Sequence, residues 1–255
     1  MARLVNWGLG LLLPAALIVL WQYEGWRNAL PRYLPMPSVI ADQWLEMLYS
    51  GELFVHAGRS LFRALTGFVI GSMFGLALGL AAAALRPIED FCEPLISLTY
   101  PIPKIAALPI IFAWFGLGDE SKVIIIAVSV FYPLYVATFA GAKVTTREHI
   151  WAARNMGAGR WRIVMHVLLP SALPQIFNGL RVGLALSFVV MFVAELVSSS
   201  QGLGYLITFA QDNERFDLMF VAIVTIGIFG FIADRLLLVV RRSFLAGYLP
   251  AAERQ

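Results

Sequence analysis

The chain has 255 residues, of which 60% are hydrophobic and 14% charged, with a net charge of +3. Its mean hydropathy is +0.77. That is too apolar for a water-soluble domain, and several apolar runs approach the ~20 residues that cross a bilayer as a helix. Because backbone groups in lipid must be satisfied within their own segment, the composition predicts a polytopic all-α membrane protein. A single cysteine, Cys92, excludes an intrachain disulfide, and His56, His149 and His166 lack metal-ligand spacing. No GxxxxGK[ST] phosphate loop, metal cluster or nucleophile–base pair is present, so the chain neither binds nucleotide through a P-loop nor resembles an enzyme. No cofactor, metal or nucleic-acid partner is expected.

Span one is predicted at about 7–23, retained rather than cleaved, since Trp21, Tyr23 and Trp26 follow it where a signal peptide would have small residues. Pro31, Pro35 and Pro37 interrupt helix, after which Ser38 can cap a surface helix over 39–48, with Ile40, Trp44, Leu45 and Leu48 on one face. Span two, 65–85, carries Gly67, Gly71, Gly75 and Gly79 at every fourth position. Such a stripe permits close helix approach, either inside one subunit or at a dimer seam. Span three, 94–115, contains Pro101, Pro103 and Pro109 and must be kinked or broken. Span four covers 122–142, span five 178–200 and span six 218–240. Six spans put both termini on one side. That side then holds Arg3, Arg86, the cations of residues 143–175, Arg241, Arg242 and Arg254, and the positive-inside rule makes it cytoplasmic.

Residues 145–170, TTREHIWAARNMGAGRWRIVMHVLLP, form the polar interruption between spans four and five, with Lys143, Arg147, Arg154, Arg160 and Arg162 as its cations. Thr145 and Glu148 have capping-box spacing and predict a helix from 146 to 156. Gly157 suits a left-handed cap, Gly159 offers a second joint, and a second helix, 160–168, should stop before Pro170. Ala152 and Ala153 make a small patch rimmed by Arg147, Arg154 and Asn155, suited to docking in another protein's groove.

AARNMGAGRWRIVMHVLLP resembles the cytoplasmic loop of the inner-membrane permeases of binding-protein-dependent ABC importers. In that family Glu-Ala-Ala is followed by three residues, Gly, nine residues, an aliphatic, one residue and Leu-Pro. Ala152, Ala153, Gly157, Val167, Leu169 and Pro170 match in register, while Trp151 stands where the family has Glu. YPIPKIAALPIIFAWFGLG (100–118) and AELVSSSQGLGYLI (194–207) resemble the branch importing nitrate, sulfonates and taurine. The resemblance implies a six-helix type I importer permease fold forming a single domain over 1–255, with a cytoplasmic coupling loop at 143–175. It further implies a homodimer in the bacterial inner membrane, two cytoplasmic ATPase subunits that bind ATP–Mg, and a periplasmic or lipid-anchored solute-binding protein. Trp151, Ala152, Ala153, Arg154, Gly157, Gly159 and Pro170 would form the ATPase-coupling element.

Lys104 and Glu195 are ionisable residues placed within spans, which marks both as functional candidates. Two readings fit. Lys104 could face an anionic solute and Glu195 could line or gate its path. Alternatively they pair with each other, or with carbonyls freed by the prolines. Ser198, Ser199 and Ser200 could bond solute or their own helix backbone, and Tyr100 could line a pore or anchor the interface. Asp234 and Arg235 suggest a local pair near the end of span six. Against the importer reading stand a gradient-driven carrier and an intramembrane enzyme; the coupling-type loop disfavours the first and the missing catalytic constellation the second.

Overall fold

The computed structural model of the chain describes residues 2–145 and 147–245, with side chains from residue 12 onward apart from 147. The helices in chain order are α1 (Ala2–Trp26), α2 (Pro37–Ser50), α3 (Glu52–Ala84), α4 (Arg86–Thr99), α5 (Leu108–Phe115), α6 (Asp119–Lys143), α7 (Arg147–Asn155), α8 (Arg160–Ile163), α9 (Leu169–Val197), α10 (Leu203–Asp212) and α11 (Phe216–Leu245). Among the described residues there is no strand. Among the described residues four helices are long and apolar enough to cross a membrane: α3, α6, the continuous helix Arg160–Val197, and α11. A fifth span results if α4 and Lys104–Phe115, bent by 87°, count as one. The first expected span lies within α1.

The glycine stripe of α3 faces α6 of the same subunit, which decides between the two roles open to it. A Cβ built at Gly67 would stand 2.5 Å from the Ile126 side chain, one at Gly75 2.7 Å from the Phe131 carbonyl oxygen, and one at Gly79 2.9 Å from the Thr138 side chain. At Gly71 it would run into the Ala127 carbonyl oxygen. On the other side of α6, Gly179 and Gly183 of α9 lie against Ala137 and Leu134. Small residues thus bring α3, α6 and α9 together nearly backbone to backbone, and Ile125, Ile126, Val130, Leu134, Phe188 and Met191 fill the space between them.

A second core packs Ile40, Met47, Leu53 and Ala57 against Leu203, Leu206, Leu218 and Val221. It draws in α2, whose Trp44 Nε1–H donates to Thr225 Oγ1 at 3.1 Å. Ser38 does not cap this helix. Pro37 opens it instead, and Ser38 exchanges hydrogen bonds with Gln22, its N–H donating to Oε1 at 3.0 Å and its Oγ accepting from Nε2 at 3.1 Å. Helix α10 was not anticipated; its five buried residues, Leu203, Gly204, Leu206, Ile207 and Ala210, are too short a run to announce a span.

Span three breaks where the prolines demand. α4 stops at Thr99, Pro103 is extended (φ −61°, ψ 110°), and Lys104–Ala107 forms one 3₁₀ turn before α5 begins with Pro109 in its first turn. Span five differs from expectation in the opposite sense. The loop's second helix does not stop before Pro170 but runs into α9 through a π turn, Val164–Leu168. Pro170 has no N–H, and in a regular helix its ring would strike the carbonyl four residues back. The wider turn removes that clash, and the Leu169 N–H donates to the Val164 oxygen five residues back. Asp234 likewise pairs across helices rather than locally: Arg181 grips it with Nε at 2.6 Å and Nη2 at 3.2 Å, while Arg235 lies 4.9 Å from the Phe231 ring centroid.

Candidate functional site

Three features bear on function: the loop between α6 and α9, the broken turn around Lys104, and a buried ionic cluster around Glu195.

The loop begins differently from its expected capping box. Thr145 Oγ1 is buried without a hydrogen bond among the described residues, and the Thr145 N–H donates to the Ala142 oxygen at 3.3 Å. Residue 146, the expected helix start, lies outside the described residues. The C-terminal end of α7 follows its expected chemistry. Gly157 takes φ +77°, its N–H donates to the Arg154 oxygen at 2.9 Å, and the Ala158 N–H reaches the Ala153 oxygen at 2.9 Å. Those two bonds are a Schellman cap, which needs a residue tolerant of the left-handed region at Gly157. Gly159 (φ −69°, ψ 166°) is ordinary extended backbone and is not required by conformation.

The two alanines part company. Ala153, with Ile150, Ala158, Val164 and Val167, packs against Leu80, Ala142, Ile163, Leu168, Ala172 and Ile176. Ala152, Arg154 and Gly159 are exposed, and Pro170 is half-buried. Trp151 (59% exposed), Met156 (80%) and Trp161 (70%) project outward. The loop is therefore clamped to the ends of α3, α6 and α9 by one face and presents an apolar, arginine-bearing face on the other.

At the broken turn, Lys104 Nζ donates to the carbonyls of Thr99 (2.7 Å), Tyr100 (3.0 Å) and Ile102 (2.8 Å). It also stands 3.9 Å from the Tyr132 ring centroid and 5.9 Å from that of Tyr100. All three ammonium donors thus go to backbone carbonyls of the broken turn, that of Thr99 also accepting the Ile102 N–H at 3.1 Å. Among the described residues no carboxylate pairs with Lys104, so its charge is neutralised only by dipoles and ring faces. A cavity of about 350 Å³ opens beside it, bounded by Tyr100, Ser129, Tyr132, Pro133, Val182 and Val190.

Glu195 does not meet Lys104. Its fully buried carboxylate pairs with Arg63 Nη1 at 2.6 Å and accepts from Ser60 Oγ at 2.8 Å and the Gly204 N–H at 2.9 Å. Arg63 Nη2 lies 2.6 Å from Asp119 and Nη1 also donates to the Gln201 oxygen at 2.7 Å. The Leu203 N–H donates to Ser60 Oγ at 2.8 Å and the Gly202 N–H to His56 Nδ1 at 3.2 Å. A Cβ at Gly202 (φ +130°) would sit 2.5 Å from the Glu195 carboxylate. This cluster ties α3, α6, α9 and α10 at one end of the bundle. Ser198 merely ends α9, its N–H on the Ala194 oxygen at 3.3 Å, and Ser199 Oγ has no hydrogen-bond partner among the described residues. Sequence reasoning missed Arg63. The signal was its depth, since a cation about three turns inside α3, at the end where Glu195 also lies, must find a partner.

A helical bundle with a broken span, and a clamped loop feeding directly into a helix long enough to cross a membrane, is the architecture of a multi-pass membrane protein. Residues 71–245 match the family described as the binding-protein-dependent transport system inner membrane component, and the chain belongs to that family. It is 33% identical over 241 residues, 94% of this chain and 87% of the relative, to the protein named as an aliphatic sulfonates transport permease in Bacillus subtilis (strain 168). It is 36% identical over 213 residues, 83% of this chain and 80% of the relative, to the riboflavin transport system permease of Chloroflexus aurantiacus. The fold is similar to a chain of the MetNI methionine ABC transporter in an inward-facing conformation, with TM-score 0.60 and 19% identity over 72% of this chain and 93% of that one. The chain is accordingly the inner-membrane component of a binding-protein-dependent transport system.

Proposed function

We propose that the chain is the membrane half of an importer whose ATP is hydrolysed by two separate cytoplasmic subunits docking on the exposed face of α7, with a solute-binding protein delivering cargo at the opposite end. The permease works as a homodimer, and ATP–Mg belongs to the partner subunits. The observation that carries this reading is mechanical. The Schellman joint at Gly157 holds α7 at an angle to one continuous helix, Arg160–Val197, of 38 residues and therefore about 57 Å long. A shift of α7 by a nucleotide-driven partner moves the far end of α9, where the Glu195 cluster sits. Trp151, Ala152 and Arg154 supply the contact surface, with Trp151 replacing the acid usual in the family; Ala153 anchors the helix from within. The cations of the loop, with Arg241 and Arg242, support a cytoplasmic location for this end and for both termini.

The solute passes the cavity at Lys104. A positive charge with no carboxylate partner favours a small anion, and an organic sulfonate of the kind named for the Bacillus subtilis relative fits that charge. Reconstitution with the cognate ATPase and binding protein tests the assignment. Solute should stimulate ATP hydrolysis in the wild type and not in Gly157→Asp, where an L side chain at φ +77° disrupts the joint. Full stimulation in that variant would remove the loop from coupling. Nucleotide-free, gradient-driven uptake by the chain alone would make it a secondary carrier. An alkanesulfonate should stimulate and riboflavin should not; the reverse would overturn the anion assignment.

A further inference from the structure

A second cavity, about 640 Å³, lies between the last turns of α3 and the start of the Arg160–Val197 helix. Its volume is in the range that holds a sizeable ligand. The floor is hydrocarbon, with Leu76 and Leu80 on one wall and Ile163 and Leu168 on the other. Alanines at 77, 81 and 84 keep the α3 side low. The polar lining is arginine, Arg154 and Arg160, and among the described residues no carboxylate borders the cavity. Both arginines are exposed, and neither forms an ion pair among the described residues.

The cavity runs along the final apolar turns of α3 and reaches Leu85, beyond which Arg86 begins the next helix, so its lining passes from the end of an apolar span to a charged segment. Water is a poor occupant of walls that offer it almost no polar partners. A soluble anion would satisfy the arginines and leave the apolar walls bare. A molecule with an anionic head and a hydrocarbon tail satisfies both, and basic pockets between transmembrane helices at one membrane face are suited to such lipids. Guanidinium groups favour phosphate by charge and by paired N–H donors.

We infer that this crevice is a binding site for one anionic phospholipid, its phosphate at Arg154 and Arg160 and an acyl chain along Leu80, Ile163 and Leu168. The lipid would bridge α3 and the helix that continues into α9. The site is separate from the Lys104 cavity and does not depend on which solute is carried, but it shares Arg154 with the ATPase-docking face proposed for α7, so it is tested on the chain without its ATPase.

Trp161 borders the cavity and is 70% exposed, so it reports occupancy. The full chain is placed in phosphatidylcholine vesicles containing a small fraction of phosphatidylglycerol with brominated tails. The Trp161 signal is obtained by difference from Trp161→Phe. Half-maximal quenching should need roughly tenfold less brominated phosphatidylglycerol than brominated phosphatidylcholine. The double variant Arg154→Gln/Arg160→Gln should bring the two lipids to parity, and Arg154→Lys/Arg160→Lys should retain the preference. Ala81→Leu, which fills the cavity and keeps both arginines, should weaken quenching by the anionic lipid. Equal quenching by both lipids in the wild type would overturn the site, as would a preference that survives the glutamine pair. Displacement of the brominated lipid by soluble glycerol phosphate would show a head-group site without a tail pocket and also overturn it. Absence of quenching by either lipid would mean that the crevice lies beyond the reach of acyl chains, with the same consequence.

Discussion

Replacing Arg63 by methionine tests the account of the ionic cluster most severely. The Arg63 side chain is 5% exposed and that of Glu195 0%, with 2.6 Å between the paired atoms. After the substitution Glu195 keeps its hydrogen bonds from Ser60 and Gly204 but loses its counter-charge, while Asp119 retains Arg59 at 3.3 Å. Removing one partner of a buried pair leaves an uncompensated charge and costs about 3–5 kcal/mol. At about 1.4 kcal/mol per tenfold, the ratio of folded to unfolded protein falls by roughly two to three and a half orders of magnitude. The measurement is a denaturant titration of the chain in mixed micelles, completed as a double-mutant cycle with Glu195→Gln. Glutamine preserves an acceptor for Ser60 and Gly204 and removes the charge, so Arg63→Met/Glu195→Gln should be clearly more stable than Arg63→Met alone. A cost below about 1 kcal/mol for Arg63→Met, in the range of exposed pairs, would refute the reasoning. So would a double variant no better than the single one.

Gly71→Val drives a side chain into the Ala127 backbone and should destabilise by at least the 1–3 kcal/mol typical of overpacking, whereas Gly58→Ala, with nothing within 4 Å, should be neutral or stabilising in the same titration. Lys104→Met removes the charge that collects the Thr99, Tyr100 and Ile102 carbonyls. Solute uptake should be lost with assembly intact, and unchanged uptake would dismiss Lys104 from the pathway. Trp44→Phe deletes the bond to Thr225 while Thr225 still donates to the Val221 oxygen at 2.7 Å. It should cost about 1 kcal/mol, read as a shift in the unfolding midpoint.

The loop was legible because its determinants are local. Gly157 ends α7 through bonds that span five residues at most, so the residue type and its position announce the cap. The break in span three was legible for the same reason, since three prolines in nine positions leave no regular helix. Pro170 shows the limit of that logic. A proline forbids a regular turn, but one π turn evades the prohibition, and what lies on either side chooses between stopping and widening. Here the Ile163 and Leu168 side chains, buried against Leu80 and Ala172, hold the helix together through the anomaly.

By itself the sequence determined the membrane class, the all-helical fold, the broken third span and the glycine cap of the loop, because each follows from hydrophobicity, backbone geometry or hydrogen bonds over a few residues. Tertiary structure alone decided the partnerships. Glu195 joins Arg63 across 132 positions and not Lys104, the glycines of α3 face α6 and not a second subunit, and Ala153 turns inward while Ala152 stays out. The physical reason is common to all three. In a helical bundle, periodicity says which residues share a face, but which face meets which neighbour depends on the rotation and height of every helix at once.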